Sequence, residues 1–341
     1  MLISFSVKNF GCIKDEVTLS FEADKSTDLE DYYIIEPIPG LRLLKLGLIF
    51  GPNASGKTTV LKALDFLRGL ILEDADSDFS PFLFSEEKES TFFSINFLVH
   101  GIRYKYELEI NEDEILEEKL FRFNDKKSIV YTRSTDLEKD ISHIQFGRKS
   151  NIDTANKKTI KDNTLTSQTV MGALNSLNVD ASELKGIIKW FKNNLHEIIH
   201  PRTNLTDFIG EKIIDELIDK NQIINYLNKA DFSINDIIIK ETDKKDSNFF
   251  GSLFKGVVEG LSGETRYNKK TIGDYMDSRF DEIFFVHKNI VGANTLISYD
   301  EESQGTQRYF QFSGLLDLLI RNSVILSIDE LESSLHPDLL E

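Results

Sequence analysis

The sequence predicts an α/β fold organised around one glycine-containing loop, and three observations carry that expectation. A short, nearly all-apolar run from Leu46 to Phe50 is followed by GPNASGKT and then by a helical pattern. Segments with a two-residue period run from Phe92 to about Phe146 and read as an antiparallel meander. Near the far end a second apolar run, Val324 to Ile328, stops on two adjacent carboxylates, Asp329 and Glu330.

The elements follow in order. In the opening MLISFSVKNF, Leu2, Ser4, Ser6 and Lys8 alternate with Ile3, Phe5, Val7 and Asn9, and Val17 to Phe21 repeats that period, so two strands are expected. After a polar, turn-like stretch around Lys25 to Asp31 comes Leu46 to Phe50, which has the composition of a strand buried on both faces of a sheet. From Thr58 the pattern turns helical, with Val60, Leu61, Leu64 and Leu67 at three- and four-residue spacing. The meander comprises FFSINFLV, RYKYELEI after the turn at His100-Gly101, EILEEKLFRF and SIVYTR. Asn151 to Asn228 is richer in helical patterns, notably ELKGIIKWFKNNLHEII, where Leu184, Ile187, Ile188, Phe191 and Leu195 mark one apolar face. KETDKKDSN, residues 240–248, reads as a loop. EIFFVH and TLISY then read as strands, a helix follows Ser303, and Val324 to Ile328 is the last strand. The expected division is 1–125 for a first half with the loop and meander, 126–280 for a mixed, mainly helical insertion, and 281–341 for a second half. Repeats, low-complexity tracts and sustained heptads are lacking, which argues against a long coiled coil.

Composition bounds the function. A chain of 341 residues, 40% of them hydrophobic, can bury a sizeable core. Its 57 acidic and 40 basic residues give a formal net charge of −17, which opposes non-specific attraction to nucleic acid or anionic membrane. The single cysteine, Cys12, excludes an internal disulfide framework and suits a reducing compartment. The N-terminus does not read as a signal peptide and no apolar stretch approaches bilayer-spanning length, so a cytoplasmic protein is expected. The lysine pairs at 157–158, 244–245 and 269–270 are small and scattered, as in solvated loops.

Three motifs carry chemistry. Gly51-Pro52-Asn53-Ala54-Ser55-Gly56-Lys57-Thr58 fits GxxxxGK[ST], the P-loop pattern, and Thr59 continues it into the helix. Its glycines permit a tight turn whose N–H groups converge on the β- and γ-phosphates of a nucleotide. Lys57 adds a cation to those phosphates, and the Thr58 hydroxyl is placed to ligate Mg²⁺. A strand behind and an amphipathic helix ahead are the context that separates this match from chance. In VILSIDE, Asp329 at the strand end would hold the Mg²⁺ shell and Glu330 would polarise the attacking water. Taken alone that is an apolar strand ending in an acidic turn; pairing with the P-loop changes its meaning. Third, Glu302-Ser303-Gln304-Gly305-Thr306 precedes the helical TQRYFQFSGLLDLLIRN, so Ser303 reads as an N-cap beneath an anion-favouring helix terminus. In isolation it is only a capped helix.

Together the three motifs resemble the ABC-type ATPase heads of the SMC/RecF class, including the overcoming-lysogenization-defect and abortive-infection ATPases of bacteria. GPNASGKT looks like their Walker A, VILSIDE like Walker B and SQGTQ like a degenerate signature motif. MLISFSVKNFGCIKDEVTLSF looks like their N-terminal strands, with Asn9-Phe10 in the turn, and Ser333 to His336 stands where they have a D-loop. The likeness covers about 1–120 and 280–341 and is loose between them. It implies two heads sandwiching two ATP molecules, each site combining Walker A and B of one subunit with Ser303 and Gly305 of the other. The sequence departs from the class in two places. Gln145 is the one candidate for a Q-loop glutamine between Leu67 and the end of the meander, and the chain ends at Glu341 before a switch histidine could occur, so a truncated chain is expected. His336 is assigned to the D-loop, His287 to a satisfied position near a sheet end, and Trp190 and Phe191 to packing of the helical region.

The resulting expectation is an Mg²⁺-dependent ATPase that dimerises through ATP, with Lys57 and Glu330 as catalytic residues. By resemblance it regulates a toxin or nuclease partner in phage defence. Two alternatives stand beside it: a RecF-like DNA repair or recombination clamp, marked by salt-dependent, ATP-stimulated affinity for duplex DNA, and an ATP-dependent assembly scaffold with little hydrolysis.

Overall fold

Alternation with a period of two governs the first strands. β1 (Leu2–Lys8) directs Ile3, Phe5 and Val7 inward, each fully buried, with Ser4 and Ser6 on the opposite face. The computed structural model describes residues 1–72, 79–84, 89–124, 126–200, 203–230, 233–241, 281–321 and 324–331. These form two units, Met1–Ile199 with Ser323–Asp329, and His200–Asn322 with Glu330–Glu341.

The first unit is built on a seven-stranded antiparallel sheet. Besides β1 it contains β2 (Val17–Ser20), β5 (Thr91–Val99), β6 (Ile102–Ile110), β7 (Ile115–Asn124), β8 (Lys126–Asp136) and β9 (Ile141–Phe146), in the order β2-β1-β5-β6-β7-β8-β9. The expected meander is therefore present in full. His100 and Gly101, at φ 50° and 77°, make the two-residue turn between β5 and β6, matching the strands' right-handed twist. A short helix α1 (Glu30–Tyr33) and a hairpin of β3 (Ile34–Ile38) and β4 (Leu41–Leu44) lie between β2 and the P-loop.

Helices α2 (Lys57–Leu72), α3 (Thr154–Asn163), α4 (Val170–Leu174) and α5 (Ser182–Asn193) share one core with this sheet. Phe93, Phe97, Tyr106 and Leu120 of the strands join Leu64, Leu67, Leu184 and Phe191 of the helices, each fully buried side chain contributing about 1.5–3 kcal/mol. Trp190 stacks on Phe97 with centroids 4.7 Å apart and Phe191 meets the same ring edge-on, so both pack the helical region as expected.

Two sequence expectations are corrected here. Asn193 and Asn194 end α5, and LHEII leaves the helix as β10 (Leu195–Ile199), which pairs in parallel with β14 (Ile325–Ile328). Leu195 satisfies helical spacing and strand burial alike, so periodicity could not separate the two. Residues 46–50 adopt no strand. Their composition is that of a buried strand, but a strand is completed by its neighbours, and none pairs with this segment among the described residues. Leu48 and Phe50 are consequently 63% and 85% exposed.

A fully buried ion pair fastens α4 and its preceding loop to the sheet. The Glu118 carboxylate accepts from the Tyr106 and Tyr131 hydroxyls and from the Val170 N–H, and lies 3.6 Å from Arg133. Arg133 donates to the carbonyls of Leu165, Thr166 and Gln168 and to Ser142 Oγ. Burial pushes the Glu118 carboxyl up, opposed mainly by Arg133.

The second unit contains an antiparallel sheet, β11 (Ile234–Glu241), β12 (Asp281–Lys288) and β13 (Asn294–Ser298), with β12 central. Among the described residues its helices are α6 (Thr206–Ile214), α7 (Lys220–Lys229) and α8 (Gln304–Arg321). Gly314 lets α8 approach α6 closely: a Cβ there would lie 2.6 Å from Ile209 Cδ1. Phe310 of α8 packs edge-on against Phe285 of β12, 5.4 Å between centroids. Of the expected loop at 240–248, Lys240 and Glu241 end β11 and the remainder lies outside the described residues, as do Ser333 to His336 and the lysine pairs at 244–245 and 269–270. No helix among the described residues is long and apolar enough to cross a membrane.

Replacing Arg133 by Met strands the Glu118 charge and three carbonyls in the core. The expected loss is about 3–5 kcal/mol in urea unfolding, whereas Glu118→Met with Arg133→Met together should cost less than the single change.

Candidate nucleotide-binding site

The P-loop is shaped by its own backbone and by a turn that packs beneath it. Ala54 and Gly56 have φ of 62° and 93°, so two residues turn through left-handed conformations before α2 begins at Lys57. Gly51 to Ser55 are exposed and Gly56 is buried. A Cβ on Gly56 would meet Cys12 Sγ at 3.3 Å, and one on Gly51 would lie 2.7 Å from Ser55 Oγ. Glycine is thus demanded at Gly56 by torsion, while at Gly51 a Cβ would only require the Ser55 hydroxyl to turn aside. Lys57 Nζ donates to the carbonyls of Gly51 at 2.9 Å and Pro52 at 3.0 Å, folding its cation over the loop.

Beneath this loop lies the turn Asn9 to Ile13, which closes on itself through reciprocal 2.9 Å hydrogen bonds between Phe10 and Ile13. Asn9 has φ 57°, its carbonyl accepts from Thr91 Oγ1 and its amide donates to the Glu89 carbonyl. Gly11, at φ 56°, is the contact point: a Cβ would stand 2.7 Å from Thr59 Cγ2. Cys12 Sγ lies 3.1 Å from Thr59 Oγ1. The resemblance placed a turn at Asn9-Phe10 but not its support of the P-loop; the glycine directly after it was the available signal, and the contact itself is tertiary.

Asp329 reaches this loop from the other end of the chain. Thr58 Oγ1 donates to Asp329 Oδ1 at 3.0 Å, across 271 residues. β14 is held against β10 by Ile325 N–H to the Asn194 carbonyl at 2.6 Å and by Asp329 N–H to the Ile199 carbonyl at 2.9 Å. β10 is in turn tied to α2, because buried Arg68 donates from Nε to the Leu195 carbonyl at 2.8 Å and pairs with Glu197 at 3.2 Å. His196, between those two, is pushed down by burial and by Arg68. Arg68 is a positioning residue that the sequence did not single out. Glu330 follows with φ 49° and an exposed side chain. Gln145 lies in β9 opposite Thr132 of β8.

In the second unit Ser303 caps α8, its Oγ accepting from the Thr306 N–H at 3.1 Å. Ser303 and Gln304 are exposed, Gly305 is half-buried and Thr306 is buried. His287 is satisfied, as expected, its Nε2 lying 2.6 Å from Glu302 Oε1.

The chain matches a family described as "AAA domain, putative AbiEii toxin, Type IV TA system", over residues 48–341. It belongs to that AAA-domain family. The matched span includes the P-loop, the α8 terminus and β14. An AAA domain is a P-loop NTPase, which fits the mixed α/β fold with its large antiparallel sheet; membership suggests nucleotide binding and ATPase activity, and the family's description carries an abortive-infection, toxin–antitoxin label. No curated protein matches the chain.

For this AAA-domain protein, Gly11→Ala should destabilise more than Gly101→Ala. Both positions have positive φ, costing about 1–2 kcal/mol each, but only Gly11 faces a neighbour within 4 Å. Denaturant unfolding of Gly11→Ala in a Thr59→Ser background, which lacks the obstructing methyl, should reduce the penalty to that of Gly101→Ala.

Proposed function

We propose that this AAA-domain protein is an Mg²⁺-dependent ATPase of the SMC/RecF-like ABC type that dimerises around ATP and controls a toxin or nuclease partner in bacterial phage defence. The observation that carries the reading is the Thr58–Asp329 contact, which brings the hydroxyl of one motif to the carboxylate of another. The family's toxin–antitoxin description supports the setting.

The residues divide the work as follows. Gly51 to Thr59 cradle the phosphates through backbone N–H groups at the start of α2, where the helix dipole favours anions. Lys57 exchanges its two carbonyl partners for phosphate oxygens. Thr58 and Asp329, two hard oxygen donors 3.0 Å apart, would hold Mg²⁺. When bound, the ion neutralises charge that develops on the phosphates. Glu330 acts as general base toward water, from a left-handed backbone position just past β14. Ser303 and Gly305 of a second copy complete the site by meeting the γ-phosphate with the exposed N-terminus of α8. ATP then favours the dimer because it binds the paired heads better than the separate ones.

Two variants test this. Lys57→Ala should weaken ATP binding on the order of 10- to 100-fold, as for loss of a charged hydrogen-bond partner. Glu330→Gln should lower turnover at least about 100-fold while accumulating an ATP-dependent dimer in sedimentation. Equal ATP affinity in Lys57→Ala and the unaltered protein would remove the foundation; a Glu330→Gln chain that stays monomeric with ATP would remove the dimer.

A further inference from the structure

The segment leading into α8 is strongly acidic, which is a poor setting for a phosphate contact. Asp300, Glu301 and Glu302 stand directly before Ser303, whose following N–H groups form the positive end of the helix. A free carboxylate here competes with phosphate for the same N–H donors and repels it. Two of these side chains are visibly turned to other partners. Glu301 accepts from the Ser298 N–H in a capping box that closes the single 3₁₀ turn Tyr299–Glu301. Glu302 is drawn to His287, Oε1 to Nε2 at 2.6 Å, and its side chain is only 11% exposed.

His287 can do this because of its place in the second unit. It sits near the end of β12, the central strand, opposite Ile234 of β11 and Thr295 of β13. Its backbone is therefore held on both edges. Glu302 is held by its main chain as well: its N–H donates to the Tyr299 carbonyl at 3.2 Å and its carbonyl accepts from Gln307 Nε2 at 3.2 Å. Gln307 Nε2 also donates to the Tyr299 carbonyl at 2.8 Å, and the Tyr299 hydroxyl accepts from Gln311 Nε2 at 2.8 Å. With the backbone pinned at these points, the remaining freedom is the direction of the Glu302 carboxylate, and His287 sets it.

We propose that His287 is a positioning residue for the γ-phosphate contact made by the α8 terminus: it holds the Glu302 carboxylate away from the N–H groups that follow Ser303. This rests on the dimer reading above. It adds the residue that makes an acidic segment fit to receive phosphate from a second copy.

The test uses the full chain carrying Glu330→Gln, with ATP and Mg²⁺, and reads the dimer dissociation constant by sedimentation and ATP affinity by titration. His287→Ala should weaken the ATP-dependent dimer about tenfold, equivalent to about 1.4 kcal/mol, and leave ATP affinity of the monomer within about twofold. Adding Glu302→Gln to His287→Ala should restore the dimer, because an uncharged amide no longer opposes phosphate. Denaturant unfolding of the same variants supplies the control: a positioning role changes the dimer constant without a matching change in fold stability, whereas a dimer loss and rescue that only track fold stability would overturn it. His287→Asn, too short to reach Glu302, replaces the alanine variant if that chain fails to fold. Ser303→Arg separates the two readings. If Ser303→Arg leaves the ATP-dependent dimer intact, the dimer stands but the α8 terminus is not its contact, and the positioning role falls with that contact; if the Glu330→Gln chain stays monomeric with ATP, the dimer reading itself falls. If Ser303→Arg abolishes the dimer while His287→Ala dimerises normally, or while His287→Ala/Glu302→Gln stays as weak as His287→Ala, only the positioning role falls.

Discussion

The hydrogen bond between Thr58 and Asp329 is the constraint on which the first unit's chemistry depends. It closes a circuit. Arg68 ties α2 to the Leu195 carbonyl, β10 carries that position into its parallel pairing with β14, and β14 ends at Asp329, which returns to α2 through Thr58. Each step is a backbone or charge-assisted contact, so the hydroxyl and the carboxylate are brought together by the register of strands and not by two flexible side chains. The cation site proposed for this pair would therefore need little reorganisation, as a rigid scaffold gives a small ion a defined position.

Support for the P-loop comes from an unexpected direction. The turn after β1 presses Gly11 and Cys12 against Gly56 and Thr59, so the end of an inner strand of the large antiparallel sheet underlies the start of α2. The sheet's own rigidity rests on a buried core of aromatic rings and on the Glu118–Arg133 pair, whose remaining donors and acceptors are met by tyrosines, carbonyls and the Val170 N–H. Desolvating two charges is costly, and complete hydrogen bonding is what makes it tolerable. The outcome is a fixed loop and helix order on one side of the sheet, which keeps α2 in place.

Charge acts locally in this protein. A net charge of −17 opposes anionic ligands at long range, yet the phosphate contacts proposed for Lys57 and the helix starts would work over a few ångströms. In the second unit the same conflict is met by pairing: the acidic run before α8 is turned toward Ser298 and His287.

The strand meander, the P-loop and its helix, the β14 strand with Asp329 and the capped start of α8 are all legible in the residues alone. Each is encoded by neighbours within a few residues: a period of two, a glycine pattern, an apolar run ending in acid, a serine before a helix. Tertiary structure decided what those patterns could not. LHEII became β10 because a parallel partner was available, and helical spacing in five residues is too short a record to oppose that. Leu46 to Phe50 reads as a buried strand but stays unpaired among the described residues, because burial on two faces belongs to the neighbours and not to the segment. Likewise Gly11, Arg68 and His287 carry no motif. Their roles exist only once distant residues, Thr59, Leu195 and Glu302, are brought beside them, and contact across a fold is information that local periodicity does not contain.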